Sequence, residues 1–292
     1  MTTLIQCVPN FSEGCRPEVI AAIVDAMRGM PGVRLVDWSA DTDHNRMVVT
    51  FVGPPAPVKN AALAAADAAI ANIDLRDHQG VHPRLGVLDV LPFVPLRGLS
   101  LADCAALARE VGQELAATHD LPVFLYEAAS DDAHSLPTVR RDAFRTLLPD
   151  FGPHVPHPTA GAAVVGARGP LIAYNVVLAT LDLAPAREIA HELRHLPHLP
   201  GIRALGLRLP SRGLTQVSMN LTRPAETPLL AVLHHVKRRA QELGIAVVES
   251  EVIGALPGFT AFGLLADALQ APALKPDQVL WENWPAAGEI HS

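Results

Sequence analysis

Short apolar runs and amphipathic segments follow one another along the chain in an order that occurs twice. Between residues 4 and 94, hydrophobic periodicity and Gly/Pro breakers predict the order βαββαβ. The predicted elements are a strand at Leu4–Val8, a helix at Pro17–Met27, strands at Val33–Trp38 and Met47–Val52, a helix at Pro57–Ile73 and a strand at Val87–Val94. The first helix carries Val19, Ile20, Ile23 and Met27 on one face.

The same order returns in the second half of the chain. The predicted elements are a strand at Leu171–Leu178, a helix at Pro185–His195, strands at Ile202–Leu209 and Leu214–Leu221, a helix at Pro228–Leu243 and a strand at Ile245–Ser250. Two βαββαβ units predict an α+β fold of two ferredoxin-like subdomains, duplicated, with a ligand cleft between them. We place the boundary near Thr180, which gives domains of residues 1–179 and 180–292.

The segment between the repeats predicts three more elements. Ser100 and Asp103 have the spacing of a capping box, which predicts a helix from there to about Ala117. The other two are a strand at Pro122–Tyr126 and a helix at Ser135–Leu148. The prolines after residue 148 predict an irregular linker.

Composition narrows the class of protein. The 292 residues are 49% hydrophobic and 18% charged, which is typical of a globular chain, and aromatic residues make up only 4%. A net charge of -7 argues against a nucleic-acid surface. The three cysteines show neither a disulfide framework nor zinc spacing, and the first residues do not resemble a signal peptide. We therefore expect a cytoplasmic protein with no nucleic-acid or membrane partner.

The segment His78-Gln79-Gly80-Val81-His82-Pro83-Arg84-Leu85-Gly86 concentrates the candidate chemistry. The proline after His82 disfavours the α region, so this imidazole is expected on extended or turn backbone. Glycines allow backbone to approach a bound molecule closely, and a His beside an Arg suits proton transfer to a small anionic substrate. The alternative is a polar surface turn in which Gly and Pro only shape the backbone.

Motifs spread along most of the chain resemble one family, the glutamate formimidoyltransferases (formiminotransferases). The segments that carry the resemblance are Cys7–Gly14, Asp43–Arg46, Val49–Gly53, His78–Gly86, Pro122–Tyr126, Asp150–Pro153, Gly161–Arg168, Leu171–Asn175, Gln216–Leu221 and Val252–Gly254. Val81 departs from the pattern, because the family usually carries an acidic residue there.

The resemblance implies an enzyme that moves the formimidoyl group of N-formimidoyl-L-glutamate to N5 of tetrahydrofolate, in histidine degradation and one-carbon metabolism. It also implies folate as co-substrate, a folate cleft between the subdomains, and a homodimer. His82 would be the catalytic acid/base, because an imidazole with a pKa of about 7 can protonate the departing glutamate amine. Two alternatives remain: an N-formylglutamate donor, or a non-catalytic folate-binding protein.

The resemblance also indicates binding residues. Arg46, Arg84 and Arg168 are candidates for substrate carboxylates, although a surface ion pair is the commoner role of an Arg. Asn10 and Asn45 are candidates for a polar pocket, although Asn is also a usual turn residue. A segment of small residues resembles the family's folate-contacting segment and would offer an open apolar wall to a ring. It comprises Gly161, Ala162, Ala163, Val164, Val165, Gly166, Ala167, Arg168, Gly169 and Pro170.

One further motif points to different chemistry. His191-Glu192-Leu193-Arg194-His195 matches H-E-x-x-H, the zinc-hydrolase pattern in which two His bind the metal and the Glu activates water. No third His follows at the expected spacing. In a chain with 13 His, a solvated helix face is the better explanation, and we expect no metal.

Overall fold

The computed structural model describes residues 3–80, 82–271 and 273–274. Within these residues, a first compact unit ends at Gly169 and a second begins at Pro170. The predicted boundary near residue 180 lies later in the chain. It separates the strand that begins at Ile172 from the second unit, whose strands are that strand's hydrogen-bonding partners.

The first unit contains a seven-stranded sheet. Its elements are β1 (Leu4–Cys7), β2 (Asn10–Phe11), α1 (Pro17–Asp25), β3 (Arg34–Asp41), β4 (Arg46–Gly53), α2 (Pro55–Asn72), β5 (Leu88–Arg97), α3 (Leu101–His119), β6 (Val123–Glu127), α4 (Leu136–Asp142) and β7 (Ala163–Ala167). Both β1 and β2 pair with β4 and β5, so they act as one interrupted strand. The sheet order is β3, β4, β1 with β2, β5, β7, β6, and β7 runs parallel to both of its neighbours.

Small side chains form much of the first core. Helix α2 buries Val58 and five alanines, which lets the helix lie close to the strands. The large side chains come mostly from the sheet, where Phe11, Phe51 and Phe93 are fully buried. A second apolar cluster around Phe124 and Tyr126 contains residues of β5, β6, β7 and α4.

The second unit repeats the first without the added strands. Its elements are β8 (Ile172–Leu178), α5 (Leu183–Leu193), β9 (Ile202–Leu209), β10 (Leu214–Leu221), α6 (Leu229–Glu242), β11 (Val247–Ile253) and α7 (Gly258–Ala268). The four strands are antiparallel in the order β11, β8, β10, β9. In both units the first strand of the repeat lies between the third and the fourth. The predicted α+β duplication of ferredoxin-like units is therefore confirmed.

One predicted helix is shorter in the structure, and strand β7 was not predicted. The helix predicted at Ser135–Leu148 ends at Asp142, because Ala143 adopts ψ 131° and Phe144 adopts a left-handed φ of 58°. The turn places the Phe144 ring edge-on against Phe124 with 5.0 Å between centroids, so tertiary packing overrides helix propensity here. Helix α7 follows the last predicted element. Across the described ranges, no helix is both long and apolar enough to span a bilayer.

Candidate active site

A buried ionic cluster lies within the first unit. Asp89 of β5 is 0% exposed, and its Oδ2 atom accepts hydrogen bonds from Arg46 Nη1 and from Arg140 Nη2, each at 2.5 Å. Its Oδ1 atom accepts from the backbone N–H of Leu85 at 2.9 Å. Burial would raise the pKa of Asp89, but Arg46 and Arg140 hold it below its ordinary value. With two guanidinium groups on one carboxylate, the cluster carries a formal charge of +1.

His82 lies directly beside this cluster. Its Nδ1 atom is 2.7 Å from the carbonyl oxygen of Pro83 and 3.3 Å from Arg46 Nη1. A carbonyl oxygen only accepts, so we assign the Nδ1 proton to the shorter contact, and the contact with Arg46 is not a hydrogen bond. The lone pair of the imidazole is then on Nε2, the nitrogen that can take a proton.

The surroundings of His82 keep its imidazole neutral. Burial, and then the positive charges of Arg46 and Arg140, lower its pKa to about 3. The expected pKa near 7 is therefore wrong for the unliganded protein. At neutral pH this residue begins as a base, and any role as an acid requires it to receive a proton first.

Arg84 stabilises the loop that carries His82. Its guanidinium donates to the backbone carbonyl of His82 from Nη2 at 2.8 Å and from Nε at 3.2 Å, and to the carbonyl of His44 at 3.2 Å. It also contacts the ring of His78. Gly80 packs so closely on this structure that an added Cβ would collide with the His44 carbonyl oxygen. In the described residues, Arg84 thus supports the loop rather than presenting a free fork.

Both candidate asparagines use their amides within the protein. Asn45 ends the hairpin turn between β3 and β4 with φ 45°, a conformation that Asn tolerates better than most residues. Its Oδ1 atom accepts from Gly14 N, and its Nδ2 atom donates to the Gln79 carbonyl, both at 2.8 Å. Asn10 donates to Val8 and accepts from Arg46 Nη2 at 2.9 Å. These contacts position the arginine and the loop.

The small-residue segment is mostly interior. Residues 162–167 are buried, and their side chains belong to the two apolar clusters of the first unit, so they form no open wall. Gly161 takes φ 71° and forms a bridge with Gly86, which anchors the end of the His82 loop. Arg168 is partly exposed, while Gly169 and Pro170 are exposed. These last three are the members of the segment whose surface is open to solvent.

The H-E-x-x-H motif lies in the second unit without the environment of a metal site. Helix α5 ends at Leu193, and the Nδ1 atom of His195 is 2.7 Å from the carbonyl oxygen of His191. Glu192 forms an ion pair with Arg239 at 2.7 Å, so its carboxylate is already engaged. Among the residues that the structure describes, no group of three or more His, Cys, Asp or Glu could hold a metal ion.

Two residues of the buried cluster were not predicted as site residues: Asp89 and Arg140. A single acid inside the apolar run from Val87 to Leu91 was a usable signal, because a buried carboxylate is rare unless it is paired. Arg140 gives no such signal, since its partner is 51 positions away in the chain. Val81, the departure from the family pattern, lies outside the described residues.

Comparison with known proteins agrees with this architecture. The chain matches the formiminotransferase domain, N-terminal subdomain, over residues 4–168 and the formiminotransferase domain over residues 173–265. It is 36% identical to a glutamate formimidoyltransferase of Streptococcus pyogenes, with 97% of this chain and 99% of that protein covered. A glutamate formimidoyltransferase of Thermoplasma acidophilum is 37% identical, with 87% and 88% covered.

A longer relative is also similar. The formimidoyltransferase-cyclodeaminase of Rattus norvegicus is 41% identical over 88% of this chain, and the match spans 51% of that protein, about half of its length. Both subdomain models match in the same order along the chain, and together they cover most of it. The chain therefore belongs to the formiminotransferase family.

Proposed function

We propose that this protein transfers the formimidoyl group from N-formimidoyl-L-glutamate to N5 of tetrahydrofolate. The observation that carries the proposal is a neutral His82 held 3.3 Å from Arg46, in an Arg46–Asp89–Arg140 cluster with a formal charge of +1. The named relatives that cover nearly the same length are glutamate formimidoyltransferases, which supports the same reaction.

The electrostatics fit this pair of substrates. The donor carries two carboxylates, and an arginine pair shared by one carboxylate retains a positive charge that favours an anion. The formimidoyl group is an amidinium cation, which a neutral imidazole tolerates better than a charged one. When N5 attacks the amidinium carbon, N5 becomes positive and must lose its proton. His82 Nε2 is the base for that proton, and in the simplest mechanism it returns the proton to the leaving glutamate nitrogen.

Binding of a donor carboxylate would also change the pKa of His82. A negative charge near Arg46 and Arg140 offsets the positive field that lowers the pKa of His82, so the pKa rises when substrate is bound. A stronger base then exists only in the complex. We also propose that tetrahydrofolate is the co-substrate and that the enzyme uses no resident metal. We further propose that the protein is a cytoplasmic homodimer that acts in histidine breakdown.

The test is turnover of tetrahydrofolate with formiminoglutamate or with formylglutamate. Acid converts the formimidoyl product to the strongly absorbing methenyl form, which gives the readout. We expect turnover with formiminoglutamate, and a decrease of two or more orders of magnitude in His82→Ala. The control His198→Ala changes an exposed imidazole of the second unit and should keep the wild-type rate. Turnover with formylglutamate but not with formiminoglutamate would show that the donor is formylglutamate. Folate binding by calorimetry without turnover would overturn the enzyme in favour of a binding protein.

A further inference from the structure

A second imidazole faces His82 across the site. His44 lies in the turn between β3 and β4, is 8% exposed, and its ring centroid is 6.2 Å from that of His82 with an interplanar angle of 67°. Its Nδ1 atom is 2.8 Å from Asp41 Oδ1, and the same oxygen accepts the His44 backbone N–H at 2.7 Å. The carboxylate therefore fixes the ring with the proton on Nδ1 and leaves Nε2 for other contacts.

The two imidazoles have opposite electrostatic surroundings. Arg46 and Arg140 act on His82, whereas Asp41 contacts His44 directly. Other charged groups near His44 are Asp43 in the same turn and Arg84, which donates to the His44 carbonyl. The positive groups favour a neutral imidazole at His82, whereas the Asp41 carboxylate orients the His44 ring so that its Nε2 atom faces away from the carboxylate.

We propose that His44, oriented by Asp41, is the general acid that protonates the departing glutamate nitrogen, while His82 is the base. This inference rests on the proposed function and deepens it. The ring centroids are only 6.2 Å apart, so one small group bound beside both rings would lie within reach of each imidazole, and each can serve one of its nitrogens. A single proton then does not have to travel on His82 between the two nitrogens during one reaction.

The step balances in protons and electrons. The N5 lone pair forms the bond to the amidinium carbon, and the carbon–nitrogen π pair moves onto the terminal nitrogen. His82 Nε2 takes the N5 proton, and protonated His44 gives its Nε2 proton to the glutamate nitrogen. The bond between carbon and that nitrogen breaks with its pair on the amine, while the terminal nitrogen restores the double bond. A proton passing from His82 to His44, directly or through water, resets the site.

The test compares kcat and KM of wild type, His44→Gln and Asp41→Asn. We expect His44→Gln to lower kcat a hundredfold or more with little change in KM. Asp41→Asn, which removes the carboxylate that orients the ring, should lower kcat by a smaller factor. The control is His119→Gln, because His119 also pairs with an aspartate, Asp67, at 2.6 Å but lies outside the site.

A donor with a better leaving group separates an acid from a structural role. A formamidine of 4-aminobenzoate loses an arylamine, which needs little protonation, so His44→Gln should approach wild-type rate with it while His82→Ala stays impaired. Equal impairment of His44→Gln with both donors would overturn the proposal. If His44→Gln does not fold by circular dichroism, the same comparison of the two donors in Asp41→Asn decides. Absence of wild-type turnover would instead remove the proposed function itself.

Discussion

The two units share the strand order of the repeat, but their ionic clusters have opposite ratios of acidic to basic groups. In the first unit, one buried carboxylate, Asp89, serves two arginines. In the second, one arginine, Arg239, serves three carboxylates on helices α5 and α6, which are 29–49% exposed. The first cluster is removed from water and keeps a positive charge, whereas the second is solvated and acidic.

The difference gives a physical reason for placing the proposed chemistry in the first unit. A buried charge that is only partly compensated creates a strong local field and changes the pKa of its neighbours, as at His82. An exposed network is screened by water and salt, so its ion pairs contribute less to folding stability than buried ones do. In the first unit, β6, β7 and α4 extend the repeat beyond β5 and provide Arg140 as the second cation.

The largest effect is expected from Asp89→Asn. Without the carboxylate, Arg46 and Arg140 face each other without compensation, and breaking a buried ion pair from one side typically costs about 3–5 kcal/mol of folding free energy. Urea unfolding at neutral pH measures this loss, and turnover should fall at least as much as in His82→Ala. The matched change in the second unit is Glu192→Gln, which should alter stability by less than about 1 kcal/mol. Similar losses in the two variants would contradict the comparison.

The second prediction concerns stability at acid pH. His82 has a native pKa of about 3, and an unfolded His titrates near 6.5, so between these values the unfolded chain binds a proton that the native state does not. Native stability therefore falls as pH decreases through that window, by about 2–3 kcal/mol at pH 4.5 from this residue alone. His82→Gln should lose correspondingly less stability between pH 7 and pH 4.5 than wild type does.

Unfolding curves of wild type, His82→Gln and His198→Gln at the two pH values check this. The exposed His198 serves as control, and its variant should follow wild type at both. If wild type and His82→Gln lost the same folding stability between pH 7 and pH 4.5, the imidazole would not be held neutral. The arginine pair would then not lower the pKa of His82.

Local patterns predicted the repeats well because each unit is built from strongly periodic elements. Strand β10 occupies Leu214–Leu221 as predicted, and Ser100 and Asp103 form the predicted capping box. The α4 helix was predicted too long because the contact that ends it, Phe144 on Phe124, is not encoded in local propensity. Sequence patterns thus fixed element order better than element ends.

The site was only partly predictable for a related reason. His82 was identified from its loop and Arg46 from a motif, but Asp89, which binds Arg46, is 43 positions from it in the chain. Its burial, the charge of the cluster and the pKa of His82 arise from contacts between distant segments. The predicted roles of Arg84 and Asn45 did not include loop support, because hydrogen bonds such as Asn45 to Gly14 and Gln79 are visible only in three dimensions.

A smaller effect is expected from Gly80→Ala in the His82 loop. The added methyl group would collide with the His44 carbonyl oxygen and approach the Arg84 guanidinium to 2.7 Å, so the loop must shift. A displaced catalytic group of this kind lowers kcat by about tenfold to a hundredfold, with a stability loss of about 1–2 kcal/mol. The control in the second unit is Gly263→Ala in α7, where no atom of the described residues, apart from the chain neighbours and the helix's own backbone, lies within 4 Å of the new Cβ. That variant should be neutral or slightly stabilised, and turnover and thermal unfolding measure both.

The smallest effect is expected at the H-E-x-x-H motif, which tests whether the second unit contributes to turnover. His191 and His195 lie with ring centroids 4.5 Å apart and a tilt of 36° between the rings, and Glu192 is held by Arg239. Within the part of the chain that the structure describes, these residues belong to no group of three or more possible metal ligands. His191→Gln should therefore leave turnover within about twofold and stability within about 0.5 kcal/mol, the usual range for a surface substitution. Mass spectrometry of metal content should find less than one zinc per chain in wild type. If wild type held one zinc per chain, and His191→Gln lost both the zinc and the activity, the chemistry would belong to the second unit. The contrast between the buried and the exposed cluster would then not explain where the chemistry lies.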